Sequence, residues 1–441
     1  MRLADLWTSC RRRIGALSPR AILTLGFAVF LLYGFPGYMS SDSVGQLMEG
    51  RELAFHSGHP PLMGAEWALL DVVVTGPLLM LVVQGLLFLV GLYFVLRQLL
   101  APKRAAWVAN LVLLFPPVLT TMVVIWKDSQ MAAYLIAGTA ALVQPRLRIR
   151  LLGLVLLLLA CGMRHNAAAA AVPLVFCLFE WRGGMRWWKK LAILFATGAL
   201  LAGLAVGATR VFGVSPARLT PVYHDITGMI AVSDDRTDEA WLHVLRGTPL
   251  AITTNIQARA RKLHYEYWGS WRITEGDERL FFLAQTADQV AALDRVWSEL
   301  ATPGRYLEAH WTTFSMMVGT TPEVVRPGPV WNFFHEYHDA APLVDHDATW
   351  SWFQIYVARS FHWLFENTAL FDPWAYALIA ILLLVLLCRD RLTLGLLTSG
   401  LVYELSYFPF GPNPDYRYSH WMIAATTLAG VILFVRRWRV R

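Results

Sequence analysis

The chain has 441 residues, of which 56% are apolar and only 16% charged, and its formal net charge is +7. A soluble domain carries about a quarter charged residues, so a purely water-soluble protein is a poor fit. Cys10, Cys161, Cys177 and Cys388 form no C-x-x-C pair, which argues for thiols packed as small apolar groups over a disulfide scaffold or thiolate metal site.

A helix of about 20 apolar residues crosses a bilayer. In chain order, ten runs are candidates: 20–39, 76–98, 105–125, 129–143, 151–163, 167–181, 190–208, 374–388, 392–409 and 419–435. The fourth, fifth and sixth are short. Lys and Arg cluster at Arg11–Arg13, Arg97–Arg104, Arg146–Arg150, Arg182–Lys190, Arg389–Arg391 and Arg436–Arg441. Ten spans put all these clusters on one side, which the positive-inside bias makes cytoplasmic. Both termini are then cytoplasmic in an inner membrane. The first run is long and has no A-x-A cleavage pattern, so it reads as an uncleaved span.

The organisation predicted is an all-α polytopic membrane protein in three parts. Residues 1–209 hold about seven helices and a first external loop at 40–75. Residues 210–372 form a mostly helical external domain, and 373–441 hold about three helices. The external segment carries 13 Lys/Arg against 20 Asp/Glu, whereas the remainder carries 25 against 11. The basic excess therefore reports topology, and nucleic acid is not an expected partner. Within the external segment, 283–300 has apolar positions three and four apart and predicts an amphipathic helix. Residues 349–366 are aromatic-rich and predict a helix along the membrane interface.

Outside the external segment, only Arg51, Lys127, Arg164 and Arg417 fall away from the cytoplasmic side. Each lies in a dense polar motif of a short external loop. In the first loop a helix starting at Ser41 would place Asp42, Gln46 and Glu49 on one face, followed by His59-Pro60-Pro61-Leu62. Asp42 by itself also reads as a helix cap. The second loop is Trp126-Lys127-Asp128-Ser129, where the lysine also reads as a snorkelling anchor. Met163-Arg164-His165-Asn166 makes the third. The fourth is Asn413-Pro414-Asp415-Tyr416-Arg417-Tyr418-Ser419-His420. Four such loops on one face predict one external pocket.

Acid beside clustered cations suits transfer from an anionic donor. The cations hold a leaving phosphate, and the carboxylate takes a proton from an acceptor hydroxyl. Outside the cytoplasm the activated donors are lipid-linked, with phosphate at headgroup level.

With an external Asp42 near the end of the first span, and the His59-Pro60-Pro61-Leu62 re-entry some twenty residues on, the chain resembles the GT-C superfamily of polyprenyl-phosphate-sugar glycosyltransferases. That superfamily includes protein O-mannosyltransferases and the aminoarabinose transferases of lipid A. Lys127-Asp128 and Arg164-His165-Asn166 resemble motifs of uncharacterised bacterial relatives. The likeness covers the first 180 residues, and the rest in layout only. Asp42 is followed by Ser43 where the best-known members have a second acid. The resemblance implies a GT-C-like fold and Asp42 as catalytic base. Donor-phosphate contacts by Lys127, Arg164 and Arg417 are inferred from charge. His59 is placed with Asp42 at the catalytic centre, with Gln46, Glu49, Asp128, His165, Asn166, Asp415, Tyr416 and His420 around it. No metal or other cofactor is expected. The partners expected are a polyprenyl-phosphate-linked sugar, a lipid, glycan or protein acceptor, and membrane lipids. Tyr265, Tyr267 and Trp268 are candidates to stack on sugars, or packing residues. Two other readings stand beside the enzyme: a transporter or flippase for a lipid-linked or anionic solute, for which Glu404 is the one acid deep in a span, and a non-catalytic envelope-assembly partner.

Overall fold

The computed structural model describes residues 16–55, 60–179, 185–193, 195–196, 220–265, 270–321, 350–386, 390–411 and 413–439. Among them the secondary structure is helical, with two isolated bridges and no strand. In chain order the helices are α1 (Pro19–Gly34), α2 (Ser41–Glu52), α3 (Pro61–Asp71), α4 (Leu78–Arg97), α5 (Pro102–Leu113), α6 (Pro116–Met122), α7 (Lys127–Leu142), α8 (Leu147–Met163) and α9 (Ala168–Leu178). Then come α10 (Thr220–Ala231), α11 (Asp238–Val244), α12 (Ile256–Tyr265), α13 (Ala287–Leu300), α14 (Pro303–Val318), α15 (Trp352–Asn367), α16 (Pro373–Leu386), α17 (Arg391–Leu405) and α18 (His420–Arg439). A 3-10 turn, Tyr416–Ser419, leads into α18.

Many starts are written locally. Proline opens α1, α3, α5, α6, α14 and α16, where its missing N–H costs nothing and its fixed φ suits the first turn. Ser18, Thr237, Thr286, Thr302, Ser351 and Asp390 cap α1, α11, α13, α14, α15 and α17 through side-chain oxygens that accept backbone N–H bonds.

Two apolar cores result. The larger gathers α1, α4 to α9 and α16 to α18. The smaller is built from α10 to α13 and the start of α14, between Val222 and Tyr306. Helix α14 joins them: Tyr306 lies against the smaller core and Met317 and Val318 sit in the larger. The amphipathic helix expected at 283–300 is α13, starting at Ala287.

The ten expected spans need correction. Two described helices are long and apolar enough to cross a membrane: Leu78–Arg97, with a mean hydropathy of 2.5, and Tyr416–Trp438, with 1.5. A third is added if α5 and α6, bent by 71° at their junction, count as one span. Helices do form over the other expected runs, except 190–208, which lies mostly outside the described residues. They are shorter or less apolar for identifiable reasons. Helix α7 is buried from Asp128 to Leu142 save Ala137, so its Ala, Gly and Thr serve helix-to-helix packing rather than lipid. Helix α8 begins with Arg148 and Arg150 in its first turns, and α9 has only 11 residues.

Helix α15 falls where an interfacial helix was expected. The Gln354 side-chain amide donates to the Tyr33 and Phe35 carbonyls (3.0 and 2.9 Å) at the end of α1. Phe361 meets Tyr33 edge-on at 5.7 Å. Trp352, Tyr356 and Trp363 point outward.

Candidate functional site

The site forms where two loops are stitched together. The Tyr38 amide donates to the Val123 carbonyl (3.0 Å), and the Ile125 amide returns a bond to the Tyr38 carbonyl (2.8 Å). One turn on, the Ser43 hydroxyl donates to the Ile125 carbonyl (2.7 Å), and the Trp126 indole donates to the Ser40 hydroxyl (2.8 Å). The start of α2 and the start of α7 are thereby tied, which brings Asp42 beside Lys127 and Asp128. The Ser40 amide donates to the Ser43 hydroxyl (3.1 Å) at the head of α2. The cap position of α2 is Ser40, so the reading of Asp42 as a cap is overturned.

Below this point α2 and α3 cross closely. A Cβ on Gly50 would come within 2.5 Å of the Gly64 carbonyl oxygen, so only glycine lets the backbones approach this far. Arg51 binds Asp71 through Nε and Nη2 (2.7 and 3.1 Å), and Asp71 also accepts from the Gly76 amide (2.7 Å). Burial pushes the Asp71 carboxyl up, but the Arg51 and Gly76 bonds outweigh it and hold it below its ordinary value. Arg51 thus fastens the first loop.

Asp42 meets Arg417 at 2.7 Å, and Arg417 meets Asp415 at 2.7 Å and Asp128 at 4.0 Å. Asp128, in turn, takes the Arg164 guanidinium on both oxygens, at 2.5 and 2.6 Å. Lys127 stands close enough to Asp42, Asp128, Arg164 and Arg417 to interact with all four charges. Three cations and three carboxylates therefore form one network drawn from α2, α7, the α8–α9 junction and the turn before α18. Burial differs sharply within it. The Asp128 side chain is 1% exposed and Arg164 9%, whereas Asp42 is 32% exposed. Asp42 is the open end.

Aromatic rings floor the network, a feature that sequence reasoning missed. Tyr407 and Tyr418 stack at 4.7 Å, and the Arg164 guanidinium lies 4.6 Å from the Tyr418 ring centre. Arg417 lies 4.8 Å from Trp126 and 5.5 Å from Tyr418. The Tyr403 and Tyr407 hydroxyls share a 2.7 Å bond across one helical turn. Rings at the i and i+4 positions beside Arg-bearing motifs were the available signal. Glu66 was missed as well. Its Oε1 accepts from the Tyr134 hydroxyl (3.1 Å), while its buried Oε2 has no hydrogen-bond partner. Burial pushes the Glu66 carboxyl up, opposed by the Tyr134 bond.

The other expected pocket residues divide. His59 lies outside the described residues. Gln46 is buried one turn below Asp42, with its side-chain oxygen unpaired, and Glu49 is half-buried. Asn166 donates to the Ser406 hydroxyl (3.0 Å), while His165 is exposed. Tyr416 and His420 are packed in the interior, against Phe371 and Phe88, instead of lining an open pocket. Glu404, also interior, accepts from the Ser419 hydroxyl (2.6 Å). Among the described residues no group of three His, Cys, Asp or Glu side chains is placed to hold a metal ion. Tyr265 lines a separate groove of about 600 Å³ with Arg236, Asn255, Arg261 and Lys262. Tyr267 and Trp268 lie outside the described residues. Cys161 and Cys177 are in no disulfide among the described residues, and Cys10 and Cys388 lie outside the described residues.

No family model, no curated protein and no solved structure matches this chain. The residues alone carry the functional reading.

Proposed function

We propose that the chain is an integral membrane glycosyltransferase. It moves a sugar from a polyprenyl-phosphate donor to an acceptor hydroxyl on the external face, with inversion at the anomeric carbon. The reading includes an inner-membrane location, with both termini cytoplasmic and 210–372 outside. The observation that supports it best is the meeting of Asp42 with Lys127, Arg164 and Arg417, from four separate loops, with the carboxylate at the open end. In this mechanism the acceptor oxygen attacks the anomeric carbon as the bond to the phosphate oxygen breaks. The acceptor proton passes to Asp42 and then to solvent, and polyprenyl phosphate leaves. Arg417 aims the Asp42 carboxylate.

The cations divide the work unequally. Arg164 is committed to Asp128 on both oxygens, and Arg417 to Asp42 and Asp415. Lys127, at the first position of α7 and beside Asp42, Asp128, Arg164 and Arg417, is assigned the main contact with the donor phosphate, helped by the backbone N–H groups at the start of α7. A transporter would draw instead on interior groups such as Glu404 and His420.

The test is the purified protein with polyprenyl-phosphate sugars, reading donor loss by mass spectrometry. Asp42→Asn should express and bind donor normally and lose transfer by on the order of 10²-fold or more, because an amide cannot act as the base. Near-normal transfer in that variant would remove the central residue of the mechanism.

A further inference from the structure

A second cluster of titratable groups lies in the smaller core, and the mechanism above does not use it. His224 on α10, His264 on α12 and His310 on α14 face one another. The His224 ring is 6.2 Å from each of the other two, centre to centre. His264 and His310 are 6% and 3% exposed. His224 Nδ1, His264 Nε2 and His310 Nδ1 are buried without a hydrogen-bond partner. The cluster is tightly built: a Cβ on Gly228 would stand 3.2 Å from His264 Cε1 and 3.1 Å from the Ala309 Cβ.

The groups around it come from every packed helix. Helix α10 contributes Asp225, 3.3 Å from His310 Nε2 and 4.0 Å from His224 Nδ1, and Tyr223, whose hydroxyl is bonded to Phe282 and Ala284. Helix α13 contributes Trp297, whose indole holds Asp225 at 2.8 Å. On α12, Tyr265 follows His264 with its ring 5.0 Å away and feels Glu308 and Arg261, and Arg261 is itself paired with Asp235. On α14, Tyr306 lies 4.3 Å from the His310 ring. Asp225 is thus the carboxylate that faces the imidazoles directly, and it reaches two of the three rings, His224 and His310.

Helix α14 also reaches the candidate site. The Tyr306 hydroxyl donates to the Pro409 carbonyl (2.8 Å), and Trp311 meets Phe408 edge-on at 5.8 Å. Both contacts lie on the segment between α17 and the turn that carries Asp415 and Arg417, and α14 packs on that turn as well. One helix therefore carries an imidazole of the cluster at its middle and touches the Arg417 segment on either side of it.

We propose that the His224–His264–His310 cluster is an acid-sensitive latch: when His224 and His264 become charged, α14 parts from α10 and α12 and loosens the 406–419 segment that holds Arg417. His224 and His264 cannot both carry charge in an apolar interior, where the one nearby carboxylate reaches His224 and not His264, without water entering. Burial pushes the His224 imidazole down to about 4, with His310 adding to the effect and Asp225 opposing it. Burial, with His224 and His310 beside it, pushes His264 down to about 3. Both values lie below the ordinary 6.5, so the loosened domain takes up protons first as pH falls. The packing is at full strength above about pH 6.5 and is lost progressively as pH drops towards 4. The inference is independent of glycosyl transfer.

Hydrogen exchange on the full-length protein in nanodiscs, read by mass spectrometry between pH 7.5 and 4.5 with the intrinsic pH dependence of exchange corrected, tests it. In the wild type, 303–318 and 406–419 should lose protection together as pH falls. His264→Gln should move the midpoint of that loss down by about half a pH unit or more, since one titrating ring is gone. Tyr306→Phe, which keeps the ring and removes its bond to Pro409, should leave the loss in 303–318 intact and weaken its coupling to 406–419. Corrected protection that stays flat with pH in the wild type overturns the latch. So does an unmoved midpoint in a folded His264→Gln protein. If His264→Gln does not fold, the wild-type profile and Tyr306→Phe decide. Loss in 303–318 while 406–419 stays protected in the wild type overturns the link to the site.

Discussion

The ion network at the end of the helix bundle and the histidine cluster of the smaller core bury comparable numbers of ionisable groups by opposite means. In the network each guanidinium has carboxylates at contact distance, and aromatic faces cover what remains: Arg164 has Asp128 and Tyr418, and Arg417 has Asp42, Asp415 and Trp126. In the cluster one aspartate reaches two of the three imidazoles, and ring nitrogens are left without partners. A buried charge persists only where an opposite charge replaces the water it lost. Where that partner is scarce, the group gives up its proton instead. One region is therefore organised to hold charge and the other to exclude it.

The comparison breaks most directly at Asp128. Asp128→Ala leaves Arg164 buried without its carboxylate and should cost about 3–5 kcal/mol of stability. Replacing both members by apolar residues, as Asp128→Leu with Arg164→Met, should recover most of that loss. Thermal unfolding in detergent measures both, and an equally damaged double variant would show that the pair is not what Asp128 serves.

A smaller effect separates the cations. Lys127→Ala should weaken binding of polyprenyl phosphate by about 1.5–3 kcal/mol, the range of one charge-assisted hydrogen bond. Arg164→Ala should chiefly lower the unfolding temperature, because its guanidinium is already spent on Asp128. Isothermal titration with the lipid phosphate distinguishes them. Unchanged affinity in Lys127→Ala would take the phosphate role away from it.

The smallest expected change is in the aromatic floor. Tyr418→Leu keeps an apolar side chain and removes the ring under Arg164 and Arg417, with an expected loss of about 0.5–2 kcal/mol. An unfolding midpoint equal to wild type would mean that the carboxylates alone hold the guanidinium groups.

Much of the fold was legible where the signal is local. The prolines at Pro19, Pro61, Pro102, Pro116, Pro303 and Pro373 mark helix starts, and the apolar spacing in 283–300 marks α13. The grouping of Asp42, Lys127, Arg164 and Arg417 was legible because cations are sparse in those loops, so each stood out. What could not be read was partnership. Nothing near Arg164 in the chain names Asp128 as its partner, and Tyr407 and Tyr418 meet only after α17 and α18 pack. His224, His264 and His310 are single histidines on three amphipathic helices, each unremarked until the helices meet. The span count failed for a related reason: hydropathy registers how apolar a run is, whereas α7 is surrounded by protein and filled with small residues.

The bonds between 38–43 and 123–126 have a mechanical consequence. With Tyr38, Ser40 and Ser43 each fastened to the strip ending at Trp126, the carboxylate of Asp42 and the ammonium of Lys127 ride on one rigid plate. No hinge between their helices can draw them apart without breaking four hydrogen bonds at once. Any gate in this region must therefore swing from the opposite side, where the stretch bearing Arg417 is secured to α14 by one tyrosine hydroxyl and the edge-on contacts of Trp311 and Phe314 with Phe408.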